Sequence, residues 1–297
     1  MPETGSPTLR RRELGALLRV LRNERGFTVD QVAERLLCSP SKVSRMETGQ
    51  RGATARDVRD LCDLYEVTDP AERARLTRLA AEGKQQGWWQ SYELDYFATF
   101  VGLEEDAVAT KNFQSAAVPG LLQTTDYARA MYESNVPEIT SGRIDQLIQV
   151  RLTRQRSLTK RPPLELLAVL DEPVLHRLVG GYSVMRKQLQ RLVEAAQLPN
   201  VTIQVLPFSV GAHPAMESTF DILNFGTVAP SLVYVEGLAG NMYLERSQDL
   251  QRYELVFDHL RDIALSPQES IELIAETAAR YHRAAVPAAV DAGNNER

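Results

Sequence analysis

Residues 39–51, Ser-Pro-Ser-Lys-Val-Ser-Arg-Met-Glu-Thr-Gly-Gln-Arg, put hydroxyls and cations at helical spacing. Ser41 and Arg45 stand four apart, one turn, so both face the same way. A guanidinium carried there can donate two hydrogen bonds to guanine O6 and N7 in a major groove, worth about 1–3 kcal/mol of base discrimination. Pro40, Ser41, Lys42, Ser44, Arg45 and Thr48 form the outward face, with Ser39 at its start. Lys42 and Arg51 suit phosphate contacts. Thr28 and Val29 open the preceding helix, where free backbone N–H groups can hold a phosphate. This is chemistry of recognition, with no bond made or broken.

A bond-making site has less support. Asp171 and Glu172 end an expected strand, His176 lies one turn on, and His213 and Glu236 sit near other strand ends. No GxSxG, HExxH, phosphate-loop or GxGxxG pattern accompanies them. Four histidines, none paired at ligand spacing, argue against a metal. We expect no catalytic residues, no cofactor and no metal, and N-cap and surface roles for these side chains. Cys38 and Cys62 read as small buried hydrophobes, with a redox switch as the alternative.

The elements that must position the outward face are legible. Leu14, Leu17, Leu18 and Leu21 fall on one helical face that Gly26 stops. Thr28-Val-Asp-Gln31 is a capping box, with Phe27 and Val32 in the staple positions. The helix it opens carries Val32, Ala33 and Leu36, and Ala33 is the small residue where two helices cross. After Leu37-Cys38, Ser39 is an N-cap and Pro40 the first helical residue. Val43 and Met46 form the next inward stripe, which Gly49 ends. Thr54 with Asp57 opens a fourth helix and Asp69-Pro70 a fifth. Two short helices joined by a tight turn, the second with a polar face, make a helix-turn-helix. A five-helix bundle without a DNA role is the plainer alternative.

Charge agrees with that layout. Residues 1–51 hold ten Lys/Arg and six acids, a balance of +4, so the remainder carries −9 of the net −5. A basic head on an acidic body suits a nucleic-acid-binding module joined to a separate acidic one. With 297 residues, 43% hydrophobic and two cysteines, the chain is long enough for about two domains and excludes a disulfide scaffold. No apolar run is long enough to span a bilayer and no signal peptide is visible, so a cytoplasmic setting with no membrane partner is the expectation.

Beyond residue 87 the character changes. Trp88, Trp89, Tyr92, Tyr96, Phe97 and Phe100 crowd thirteen positions. They lie among acids (Glu93, Asp95, Glu104, Glu105, Asp106) with no Lys or Arg from 85 to 110, whereas base-stacking platforms need positive charge. Core packing or an inter-domain wedge is the preferred reading. Residues 101–161 read as helical, with breaks at Pro119-Gly120 and around Pro137. A basic stretch there (Arg143, Arg151, Arg154, Arg156, Lys160, Arg161) reads as a solvated helix face, or as a contact to DNA flanks or an acidic partner. Strands are expected at 164–170, 201–206, 218–225, 231–236 and 241–244. Helices are expected near 172–179, 183–197, 247–263 and 267–283. The architecture is multidomain: an all-α helix-turn-helix domain at 8–68, a linker helix at 69–86, an α+β domain at 88–283 and a disordered tail at 284–297.

The stretch Thr28–Arg51, with its closing Glu47-x-Gly49, resembles the Xre/Cro-type regulators over residues 12–66. Leu37 departs from that pattern, where Gly is usual in the turn, and is expected to strain the helix end. Further on, Val118-P-G-L-L-Q-T-T-D-Y-A-R-A130, Val169-L-D-E172, Asn200–Phe208, Tyr234-V-E236 and Ser270-I-E-L-I274 are similar to actinobacterial WhiJ-like and antitoxin-like regulators with a large uncharacterised C-terminal domain. The resemblance implies a sequence-specific DNA-binding regulator, a repressor, controlled by a small partner protein of the BldB type. An antitoxin that sequesters its partner and autoregulates, and a repressor sensing a small-molecule effector, are the alternatives. Double-stranded DNA and a second copy in a homodimer are the other partners expected.

Overall fold

A computed structural model describes residues 6–92, 94, 97–135, 139–238 and 240–285. The chain divides into two compact units, Met1–Ala107 with Asn224–Ser231, and Val108–Leu223 with Leu232–Arg297.

The first unit opens with five helices: α1 (Pro7–Glu24), α2 (Val29–Arg35), α3 (Pro40–Glu47), α4 (Ala55–Leu64) and α5 (Pro70–Glu82). Their starts are fixed locally. Ser6, Thr28, Ser39, Thr54 and Asp69 each cap a helix through the side chain, and Thr28/Gln31 and Thr54/Asp57 form reciprocal capping boxes. Their ends are fixed as consistently. Gly26, Leu37, Gly49 and Glu66 follow α1 to α4 in the left-handed region, at φ of 71°, 51°, 69° and 53°. After α1 the Phe27 N–H bonds the Arg22 carbonyl, and after α2 the Cys38 N–H bonds the Ala33 carbonyl, the six-to-one bond of a Schellman end.

Leu14, Leu18, Val32, Ala33, Val43, Met46, Val58, Leu61 and Tyr65 share one core with Leu76, Leu79 and Ala80 of α5. The helix expected to be a linker at 69–86 is therefore the fifth wall of the bundle.

The unit continues through a 3-10 turn (Trp88–Ser91) and α6 (Phe97–Asp106). Trp89, Leu94 and Phe100 are buried, Trp88 meets Trp89 edge-on, and Phe97 stacks on Phe100. Trp88 Nε1 donates to Glu105 Oε2 at 3.2 Å. These rings pack, in line with the preferred reading. Tyr96, Glu93 and Asp95 lie outside the described residues.

The second unit is built on a six-stranded sheet: β1 (Ala109–Gln114), β2 (Glu165–Asp171), β3 (Val201–Leu206), β4 (Phe220–Asn224), β5 (Leu232–Val235) and β6 (Met242–Leu244), ordered β3-β2-β1-β4-β5-β6. The first three are parallel; β5 pairs antiparallel with β4 on one side and β6 on the other. The helices are α7 (Thr125–Glu133), α8 (Ser141–Gln155), α9 (Pro173–His176), α10 (Gly181–Ala195), α11 (Ser247–Ile263) and α12 (Pro267–Ala285). Phe113, Val169, Ile222 and Val233 form a core with Phe257 and Leu260 of α11, while Leu166, Ala168 and Leu170, alternating to the opposite face, are equally buried.

Three expectations need correction. Residues 101–161 are not all helical, because β1 lies inside the sheet. Its sequence, Ala-Thr-Lys-Asn-Phe-Gln, has one large apolar side chain and hides its strand character. The helix expected at 172–179 shrinks to the single turn α9, since Gly180 at φ 67° restarts the chain as α10. Helix α12 continues through Ala285, past the expected start of the tail; the rest of the tail and the break at Pro137 lie outside the described residues.

Candidate nucleic-acid interface

Helix α3 is held from behind by three contacts. Gly15 of α1 passes so close to α3 that a Cβ there would lie 2.5 Å from the Met46 and Glu47 carbonyl oxygens. Arg22 of α1 reaches Glu47 with both ends of its fork, Nε to Oε1 at 2.6 Å and one terminal nitrogen to Oε2 at 3.0 Å. Its other terminal nitrogen donates to the Phe27 carbonyl at 2.7 Å. The Glu47 hydrogen bond holds the guanidinium charged, raising Arg22 above its ordinary value against the burial that would lower it. Gly49 turns the chain away in the left-handed region, packed against the Arg12 backbone. The sequence marks Glu47 and Gly49 but not Gly15 or Arg22, whose role exists only once α1 crosses α3.

The opposite face of α3 is open. Ser39, Pro40, Ser41, Ser44, Arg45 and Arg51 are exposed, while Val43 and Met46 are buried. Arg45 Nε donates to the Ser41 carbonyl at 3.2 Å, which leaves both terminal nitrogens for an outside acceptor. Among the described residues no carboxylate pairs with Arg45 or Arg51. Thr48 is half-buried and returns its hydroxyl to the Ser44 carbonyl. Ser39 and Thr28 spend their side-chain oxygens on the Lys42 and Gln31 N–H groups. Val29 is half-buried with its side chain against the core, so only its backbone faces out.

Lys42 differs from its neighbours. Its ammonium lies 2.5 Å from Asp57 Oδ1 and is only a quarter exposed. Asp57 also caps α4 through Thr54, so one carboxylate ties the start of α4 to α3. Burial pushes the Asp57 carboxyl up, and the Lys42 ammonium with the Thr54 N–H and hydroxyl outweighs it, leaving the group below its ordinary value. The side chain read as a phosphate contact is thus an internal strut in this state.

Leu37 occupies the turn between α2 and α3. It holds the left-handed conformation that Gly would adopt and leaves its side chain 94% exposed. The turn keeps its geometry and the strain stays local to one residue. Cys62 is buried, and burial pushes its thiol up; Cys38 flanks the same core.

In the second unit the basic stretch divides. Arg154 is buried, and Arg151 turns inward to Gln123 at 2.7 Å and Tyr132 at 2.6 Å, while Arg156 and Arg161 are exposed. The strand-end residues form two separate pairs, His213–Asp171 at 3.6 Å and His176–Glu172 at 3.1 Å. Glu172 Oε2 accepts the Phe208 N–H at 2.7 Å and Asp171 is raised by burial, against the His213 side chain. Among the described residues no three His, Cys, Asp or Glu side chains gather as a metal site. No described helix is long and apolar enough to cross a membrane.

A family model described as a domain of unknown function (DUF5753) matches residues 97–276. The chain belongs to that family. A model described as a helix-turn-helix domain matches residues 13–76, which contain α2, α3 and the close crossing at Gly15. That domain points to a DNA-binding regulator. The DUF5753 match starts at α6, which by packing belongs to the first unit. No curated protein and no solved structure matches the chain.

Proposed function

We propose that the protein is a sequence-specific transcriptional repressor of the Xre, WhiJ-like kind. Ser41 and Arg45 read base edges in the major groove, with Ser39, Pro40, Ser44, Arg51 and the start of α2 at Thr28 and Val29 against the backbone. The observation that carries this reading is the pair of unpaired terminal nitrogens of Arg45 on the exposed face of a helix braced from behind. A bidentate reader needs both terminal nitrogens unpaired and a rigid carrier. Lys42 joins the phosphate contacts only by giving up Asp57.

One recognition helix covers a few base pairs, so a homodimer on an inverted repeat, with α3 helices ~34–36 Å apart, supplies affinity. The second unit binds a small partner protein of the BldB type, which shifts operator affinity by preferring one form of the repressor. It works without catalysis or cofactor.

The test is operator binding by fluorescence anisotropy across a salt series, with the full chain and Arg45→Ala. The variant should lose ~10-fold or more, about 1–3 kcal/mol, and relax specificity at one base pair. Unchanged affinity and specificity in Arg45→Ala would remove α3 as the reader. Co-purification of the full chain with the neighbouring gene's product, and its effect on operator affinity, tests the partner.

A further inference from the structure

The second unit holds a cavity of about 220 Å³ between the 214–220 segment and α11, whose lining includes Glu217, Ser218, Phe220, Arg252, Tyr253 and Val256. Two of those residues, Glu217 and Arg252, carry opposite charges. Neither pairs with the other, and among the described residues neither has any ion-pair partner. Ser218 adds a hydroxyl, and Phe220, Tyr253 and Val256 form an aromatic and aliphatic floor, with Phe220 and Tyr253 edge to face at 4.9 Å. We propose that this cavity binds a free α-amino acid with an apolar side chain. Arg252 takes the carboxylate, Glu217 the ammonium, and Phe220, Tyr253 and Val256 the side chain.

Size and rigidity favour that occupant. Pockets for drug-sized ligands span about 300–1,000 Å³, so this one suits a ligand of a few heavy atoms. Both walls are set before a ligand arrives. His213, its side chain 4% exposed, faces Asp171 at the end of β2 and meets Phe113 edge-on. His213 Nδ1 accepts the Ala215 N–H at 3.4 Å, and its carbonyl accepts the Met216 N–H at 3.4 Å. The loop is therefore tied to the sheet immediately before the cavity begins. On the other side Phe220 packs on Phe257 as well as Tyr253, which fixes α11 against β4. A preformed site spares the ligand the cost of ordering its walls. A zwitterion pairs with both charges at once, whereas a simple anion or cation pairs with only one.

This inference concerns binding by the second unit and stands apart from the DNA-reading proposal. Titration calorimetry of the full chain with L-leucine, L-phenylalanine, L-glutamate and L-lysine tests it. Saturable binding of leucine or phenylalanine, at least tenfold tighter than glutamate and lysine, is the expected result. N-acetyl-leucine, which lacks the ammonium, and leucinamide, which lacks the carboxylate, should each bind about tenfold more weakly, the loss of one charge-assisted contact. Arg252→Gln should erase the penalty for the missing carboxylate, and Glu217→Gln that for the missing ammonium. Both sites are exposed, so neither variant threatens the fold. Absence of heat with all four amino acids, or binding that neither variant alters, overturns the proposal.

Discussion

Replacing Leu37 by Gly should make the protein more stable, although it deletes a large apolar side chain. Leu37 sits at φ 51° and is 94% exposed. Its removal forfeits almost no burial. The left-handed conformation costs a non-glycine residue roughly 1–2 kcal/mol, because Cβ crowds the following carbonyl. Glycine avoids that cost but loses about 0.4–1 kcal/mol through a freer unfolded chain. The two hydrogen bonds of the helix end, Leu37 N–H to the Glu34 carbonyl and Cys38 N–H to the Ala33 carbonyl, are backbone bonds and survive. The net gain is ~0.5–1 kcal/mol, or roughly 2–6 °C for a domain of about 100 residues. Thermal unfolding of the full chain, followed by amide exchange in α2 and α3, measures it. Leu37→Ala keeps the strain and should gain nothing; Leu37→Asn, which tolerates this backbone, should fall between. If Ala stabilises as much as Gly, the backbone argument is wrong and the exposed side chain is the cause.

Glu47→Ala leaves the Arg22 guanidinium, whose side chain is 11% exposed, without its counter-charge; urea unfolding should show a loss of about 3 kcal/mol, and Arg22→Ala in the same background should cost little more. Gly15→Ala puts a methyl against the Met46 and Glu47 carbonyls, so α3 must shift, and both melting temperature and operator affinity should fall, by about 1–3 kcal/mol in stability. Asp57 is below its ordinary value of 3.8 in the folded protein, so its share of stability is present above that pH and disappears as pH falls through the folded value. The urea midpoint of the wild type should therefore exceed that of Asp57→Asn near neutrality, with the gap closing as pH falls below 3.8; a gap that stays constant would remove the ionised carboxylate as its source.

The helix-turn-helix was legible because its signals are local. Thr28, Ser39, Thr54 and Asp69 cap helices with their own side chains, and Gly26 and Gly49 end them, all within a few residues. The exposed face of α3 follows from the same periodicity, so Ser41 and Arg45 could be named without a fold. The strands β2 to β6 were visible because branched and aromatic residues cluster in them. Strand β1 was not, since Lys111 and Asn112 fit a buried strand only beside Glu254 and Asp258 of α11 and Asp221 of β4. Tertiary structure alone decided that α5 is a bundle wall, that Lys42 points to Asp57 and that Gly15 and Arg22 brace α3. Each of these depends on partners far along the chain, 15 residues away for Lys42 and 25 for Arg22, and no local spacing encodes a partner that only chain crossing brings near.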